Sequence, residues 1–191
     1  MKKQRLIFVH GGQGCGKSTI TNLLREGMLH TTLMRLAGVP STQTCANVMA
    51  LNYHLAMLQA VQLSKNTGMN FVFDRSFLCE KVYANLGFKP HDFKFEMMKL
   101  NHQLNQLAND YEVWFVLLTA SKEALMERLN REGKPQFEGV AFDPTNSLRQ
   151  QQEYQNEFLK LPSSVKTLVM KTDHLTPNEV ANYIIELTKG E

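Results

Sequence analysis

Gly11-Gly12-Gln13-Gly14-Cys15-Gly16-Lys17-Ser18 stands between the β-forming run Arg5-Leu6-Ile7-Phe8-Val9-His10 and the helix-competent run Thr19-Ile20-Thr21-Asn22-Leu23-Leu24. A G-x-x-x-x-G-K-[ST] pattern flanked by strand and helix is a phosphate-binding loop. Its glycines let backbone N–H groups turn inward around a phosphate. The helix beginning beside Lys17 aims its positive end at the same anion. Residues Gly11, Gly12, Gln13, Gly14, Cys15, Gly16, Lys17, Ser18 and Thr19 are thus expected to hold a nucleoside triphosphate. Lys17 would reach its β- and γ-phosphates, and the Ser18 hydroxyl would ligate Mg²⁺. Cys15 reads as a small filler, because a nucleophilic thiol needs a base and none is adjacent in sequence.

Outward from the loop, short apolar runs recur at 5–10, 70–74, 112–119 and 166–171, with helical stretches at 18–27, 45–66, 93–109, 122–132, 147–161 and 177–188. Apolar strands alternating with helices predict an α/β fold, a parallel sheet covered on both faces. Thr176-Pro177-Asn178-Glu179 predicts the start of the last helix, with Thr176 as N-cap and Pro177 at its first position. Residues 133–146, rich in Gly, Pro and Asp, read as a loop. The 45–66 helix carries two apolar stripes, one through Ala46, Met49, Ala50, Tyr53, Met57, Ala60 and Val61, the other through Val48, Leu51, Leu55 and Leu58. Such a helix is central to the core or covered by a second copy of the chain in a homodimer.

The chain has 191 residues, 43% of them hydrophobic and 20% charged, which suits one globular domain over 1–191. A net charge of +3 fits an anionic small-molecule substrate and argues against a nucleic-acid groove, which carries a clearer basic stripe. Cys15, Cys45 and Cys79 form neither a disulfide framework nor a metal-ligand pattern, so a reducing cytoplasm is the expected setting. The N-terminal residues lack the apolar core of a signal peptide, and no stretch is long enough to span a bilayer.

Two further constellations carry chemistry. Met69-Asn70-Phe71-Val72-Phe73-Asp74 is an apolar strand ending in a carboxylate, followed by Arg75-Ser76. In a parallel sheet that strand end opens on the same edge as the phosphate loop, where Asp74 can face Mg²⁺ and Arg75 can grip a phosphate bidentately. In Glu123-Ala124-Leu125-Met126-Glu127-Arg128-Leu129-Asn130-Arg131, Arg128 and Arg131 share one helix face, with Lys134 close behind. Phosphoryl transfer spreads negative charge over the moving group, and cations placed there stabilise it. Arg35 is a further candidate for an acceptor phosphate or a surface position. Tyr53 and Phe77 are candidates for stacking on a nucleobase or for the core. His10, His54 and His102 read as structural or exposed, and the ten methionines as core filler.

The loop followed by Asp74-Arg75-Ser76-Phe77 resembles the thymidylate kinase and deoxynucleoside kinase group of P-loop proteins. The stretch from Phe73 to Tyr83 is more similar to the thymidylate kinase type. The resemblance implies a three-layer fold on a five-stranded parallel sheet and a helical lid over about 122–146. It implies ATP and Mg²⁺ as cofactors, with Asp74 orienting Mg²⁺ or accepting the proton of the attacking oxygen. Arg75 would then hold the acceptor phosphate, Tyr83 would lie by the acceptor's sugar or base, and Arg128 and Arg131 would close over the phosphates. Thr172-Asp173-His174 falls where the group has its adenine-contacting loop. Two residues depart from the thymidylate kinase habit: Gln13, where an acid is frequent, and Ser76, which follows the nucleoside kinase pattern.

The expected activity is phosphorylation of a deoxynucleoside monophosphate, dTMP foremost. The alternatives are a deoxynucleoside kinase, a kinase of nucleotides within DNA, a switch GTPase or motor ATPase, and a binding module. A GTPase needs an Asn-Lys-x-Asp motif, which Lys171-Thr172-Asp173 does not supply. A motor usually places Glu after the strand-end Asp, where this chain has Arg75.

Overall fold

The computed structural model describes residues 3–36, 46–90, 92–129 and 143–189. Five strands form one sheet: β1 (Gln4–Gly11), β2 (Thr31–Arg35), β3 (Asn70–Asp74), β4 (Tyr111–Thr119) and β5 (Lys166–Lys171). Their spatial order is β2-β3-β1-β4-β5, and every neighbouring pair is parallel. Seven helices surround the sheet among the described residues: α1 (Lys17–Gly27), α2 (Ala46–Leu63), α3 (Leu78–Asn85), α4 (Lys94–Asp110), α5 (Lys122–Leu129), α6 (Pro144–Phe158) and α7 (Pro177–Leu187).

The two-residue period of the strands sorts the core into two layers. On one face Leu6, Phe8, Phe71, Phe73, Val113 and Phe115 pack beneath buried residues of α2, α3, α4 and α6. On the other face Ile7, Val9, Val72, Trp114 and Val116 meet α1, α5 and α7. Phe8 lies in register with Phe73 on one side and Phe115 on the other, with ring centroids 4.7 and 4.6 Å away. Burying each such ring contributes roughly 1.5–3 kcal/mol, which fixes the register of the three central strands. The α7 start follows the sequence reading: Thr176 and Glu179 form a capping box with Pro177 behind it.

Four elements differ from expectation. β2 is an edge strand of five residues, half-exposed along most of its length, so it lacks the dense apolar run that marks the central strands. α3 is only eight residues long and follows β3 after a short turn, too brief for a clear helical period. α6 begins at Pro144, inside the stretch read as loop, and its N-cap is Asp143, whose side chain accepts from the Thr145 N–H. α2 buries one face, through Ala46, Ala50, Leu51, His54, Leu58 and Val61. Val48 and Met49 are 49% and 41% exposed, so the two stripes are not both core. Cys45 and residues 130–142 of the expected lid lie outside the described residues.

Candidate functional site

The sheet order makes β1 and β3 neighbours, with Val9 opposite Asp74, so the loop after β1 and the carboxylate ending β3 emerge side by side. Ser18 Oγ donates to Asp74 Oδ2 at 2.7 Å. Lys17, only 9% exposed, donates from Nζ to the carbonyls of Gly11 and Gly12 at 2.9 and 2.8 Å. Burial, then the nearby Arg75, lower the Lys17 pKa. Gly16 holds φ +86 as the N-cap of α1, a left-handed conformation that costs glycine nothing. Gly12 is required for a different reason: a Cβ there would stand 2.3 Å from Ser147 Oγ and 2.5 Å from the Ser147 carbonyl.

That close approach exposes a residue the sequence did not flag. Ser147, fully buried near the start of α6, donates from Oγ to the Gln13 carbonyl at 2.6 Å. The side of α6 therefore pins the phosphate loop from the outside and leaves its inner face to the ligand. Further along α6, the Tyr154 hydroxyl donates to Cys79 Sγ at 3.0 Å. One helix thus touches both the loop and the element behind Arg75. The usable signal was Asp143-Pro144, an N-cap and first-turn pair. Cys15 is buried in the second core layer, and burial pushes its thiol pKa up, as a filler's should be.

Arg75 has φ +78, a strained value for a residue with a Cβ, costing on the order of 1–3 kcal/mol. Its N–H donates to the Val9 carbonyl at 3.0 Å, which locks the turn onto β1. Burial alone would lower its pKa, but Cys79, Tyr83, Tyr154 and Asp74 around it outweigh that and raise it. Ser76 Oγ is shared between His10 Nε2 at 2.7 Å and the Leu78 N–H at 3.1 Å. His10 is fully buried and stacked on Phe115, and burial and Lys17 lower its pKa to about 3. Arg75 and Ser76 line a pocket with Leu36, His54, Cys79, Glu80, Tyr83 and Lys89. Glu80 and Lys89 form an ion pair there with both side chains nearly buried.

A second cavity, of about 260 Å³, opens on the other side of the loop between Gly14, Cys15, Gly16, Thr19, Arg128, Thr172 and Pro177. Arg128 donates to Thr172 Oγ1 at 3.0 Å and to the Thr172 carbonyl at 2.7 Å, and stands 3.5 Å from the Gly14 carbonyl. Asp173 accepts from the Ser121 N–H at 2.8 Å, so its carboxylate is spent on joining the β5 end to α5.

Ser18 and Asp74 are thus joined beside buried Lys17, Arg75 and Tyr83 share one pocket, and Arg128 lines another next to the loop. Phe77 does not join them. It is 1% exposed in the first core layer, edge-on to Phe115 and His54, so packing is its role and base stacking is corrected. Tyr53 is half-buried against His54, and the pocket wall there is formed by His54 rather than by Tyr53. Arg35 is exposed and donates to Asn22 Oδ1 at 2.6 Å, although β2 brings it level with Asp74. Arg131 and Lys134 lie outside the described residues.

The site has features that fit a divalent cation. Asp74 is buried, and its Oδ1 has no hydrogen-bond partner among the described residues, while Oδ2 is tied to Ser18. No cluster of three His, Cys, Asp or Glu suited to a metal occurs among the described residues. A hard cation here would rest on Ser18, Asp74, phosphate oxygens and water, the way Mg²⁺ is usually held.

No family model matches the sequence, and no curated protein matches it. Solved structures do. Deoxyadenosine kinase from M. mycoides, solved with dCMP and dCDP, aligns over 95% of this chain and 97% of its own at 16% identity and a TM-score of 0.58. Thymidylate kinase from Candida albicans aligns over 97% of this chain and 91% of its own at 16% identity and a TM-score of 0.59. The tunicamycin resistance protein of Deinococcus radiodurans aligns over 99% and 98% at 15% identity and a TM-score of 0.56. The chain has the fold of the P-loop kinases, a five-stranded parallel sheet with helices on both faces.

Proposed function

We propose that this protein is an ATP-dependent phosphotransferase acting on a deoxynucleoside monophosphate, with dTMP as the first acceptor to test. The observation that carries the reading is the Ser18–Asp74 hydrogen bond beside buried Lys17, with Arg75 next in chain and facing its own pocket. A nucleotide on the loop would put its phosphates against Lys17 and its nucleoside in the cavity by Arg128 and Thr172. An acceptor phosphate held by Arg75 would meet the transferred group from the opposite side. Mg²⁺, when bound, would neutralise phosphate charge and orient the β- and γ-oxygens.

This chain's residues supply the rest. Lys17 would exchange its carbonyl partners for phosphate oxygens. Arg75, prepositioned by its strained turn, would orient the acceptor without a search over conformers. Arg128, with Arg131 and Lys134 in a lid over 122–146 of a single kinase domain, would add positive charge as the reaction proceeds. A reducing cytoplasm remains the setting we infer from cysteine usage. No described helix is long and apolar enough to cross a membrane. The exposed Val48 and Met49 on α2 are where a homodimer contact would form; a monomer mass in light scattering removes it.

One observation favours a second reading, a deoxynucleoside kinase. Asp74 Oδ1, without a partner among the described residues, suits a base for a 5′-hydroxyl, which needs proton removal more than a phosphate does. An ADP-release assay over deoxynucleosides and their monophosphates separates the two. Turnover of monophosphates is expected; turnover of nucleosides alone selects the second reading.

A further inference from the structure

His54 sits on the buried face of α2, with its ring edge-on to Tyr53 and Phe77. It is 3% exposed, and its Nε2 has no hydrogen-bond partner among the described residues. A buried polar atom left unpaired costs about 1–3 kcal/mol, and among such atoms His54 Nε2 is one that belongs to a pocket-lining residue beside Arg75. His54 lines the pocket that contains Arg75, and three other polar groups of that wall are engaged. Glu80 and Lys89 hold each other, and Ser76 is shared between His10 and Leu78. Burial, then the charge of Lys89, lower the His54 pKa to about 4, so the ring is neutral at pH 7 and offers one donor and one acceptor nitrogen.

We infer that His54 is a specificity-determining residue that hydrogen-bonds the nucleoside part of the acceptor, at a base edge or a sugar hydroxyl, while Arg75 holds its phosphate. This rests on the phosphotransferase reading above. Arg75, just after β3, and His54 of α2 line one pocket, so a molecule anchored on the guanidinium would have its uncharged end within the same pocket as the imidazole. A site that hydrogen-bonds a substrate group rejects analogues lacking that group far more strongly than an apolar pocket does.

The test compares wild type, His54→Phe and His54→Gln by steady-state kinetics, with thermal melting to verify folding. The probes are dTMP, dCMP, dAMP and dGMP, plus the 3′-deoxy analogue of the best of them. His54→Phe is expected to raise acceptor KM at least tenfold while ATP KM stays within twofold; His54→Gln is expected to recover most of the loss. A changed ranking among the four bases assigns the contact to the base edge. A uniform loss that the 3′-deoxy analogue escapes assigns it to the sugar. Unchanged acceptor KM in a folded His54→Phe overturns the inference, as does an equal loss for ATP and acceptor, which marks a packing role. If wild-type protein that binds ATP turns over none of the probes, the monophosphate-kinase reading itself fails, and the role given to His54 falls with it.

Discussion

The two sides of the phosphate loop are built in different ways. The side proposed to hold the triphosphate's phosphates is written in one contiguous stretch, from Gly11 to Thr19, with Arg128 and Thr172 added from α5 and the β5 end, and its loop uses backbone groups that any correctly folded loop presents. The pocket proposed to take the acceptor draws Arg75 from just after β3, His54 from α2, Tyr83 and Glu80 from α3 and Lys89 from the loop after it. The first depends on glycines and one lysine, the second on side chains that only the tertiary fold assembles. Triphosphate binding should therefore be hard to alter without destroying it, whereas acceptor choice should respond to single substitutions.

The largest effect that would break this contrast is expected at Lys17. Lys17→Ala should lower kcat by about a thousandfold or more, with the melting temperature nearly kept, since it removes a charge aimed at the transferred group. Activity within tenfold of wild type would refute the role of Lys17. Arg75→Ala should act on the other side, raising acceptor KM by about a hundredfold, as loss of a bidentate phosphate contact implies, with ATP KM little changed. An ATP defect as large as the acceptor defect would erase the division between the two sides.

Smaller effects probe how the loop is held. In Gly12→Ala the new methyl would meet Ser147 backbone and side chain, so nucleotide binding should fall and stability drop by about 1–3 kcal/mol in denaturant unfolding. Ser147→Ala leaves the Gln13 carbonyl short of a donor. It should cost about 1 kcal/mol and weaken ATP binding severalfold by calorimetry, with acceptor KM unaffected.

The pH dependence of stability sharpens the same picture. His10 and His54 both have folded pKa values depressed below the ordinary histidine value of 6.5, to about 3 and about 4. Below pH 6.5 the unfolded chain binds protons that the native state refuses. Their contribution is thus fully present above pH 6.5 and is lost as pH falls toward 4 and 3. Unfolding free energy measured between pH 7 and 4 should decline, and His10→Phe should flatten part of that decline.

What the sequence disclosed follows this division. β1, β3, β4 and β5 were legible because dense apolar runs mark buried parallel strands, and the loop because its glycines have a fixed spacing. β2 was not, since an edge strand such as Thr31–Arg35 needs little apolar residue. Asp74 and Arg75 were singled out because a strand end is a local signal. Ser147 was not flagged because its close approach to Gly12 exists only once α6 is docked. His54 reads from sequence as structural or exposed, and its Nε2, without a partner among the described residues, stands out only once α2 is docked. Phe77 was ambiguous for the same reason: an aromatic after a motif looks alike whether it faces a base or Phe115.

The central claim is that the two sides share one phosphate. Incubation with ATP labelled at the γ-phosphate, in the presence of dTMP and Mg²⁺, tests it most directly. The account predicts label in the nucleotide product in step with ADP. Label appearing solely in inorganic phosphate, whichever deoxynucleotide or deoxynucleoside is offered, would contradict it.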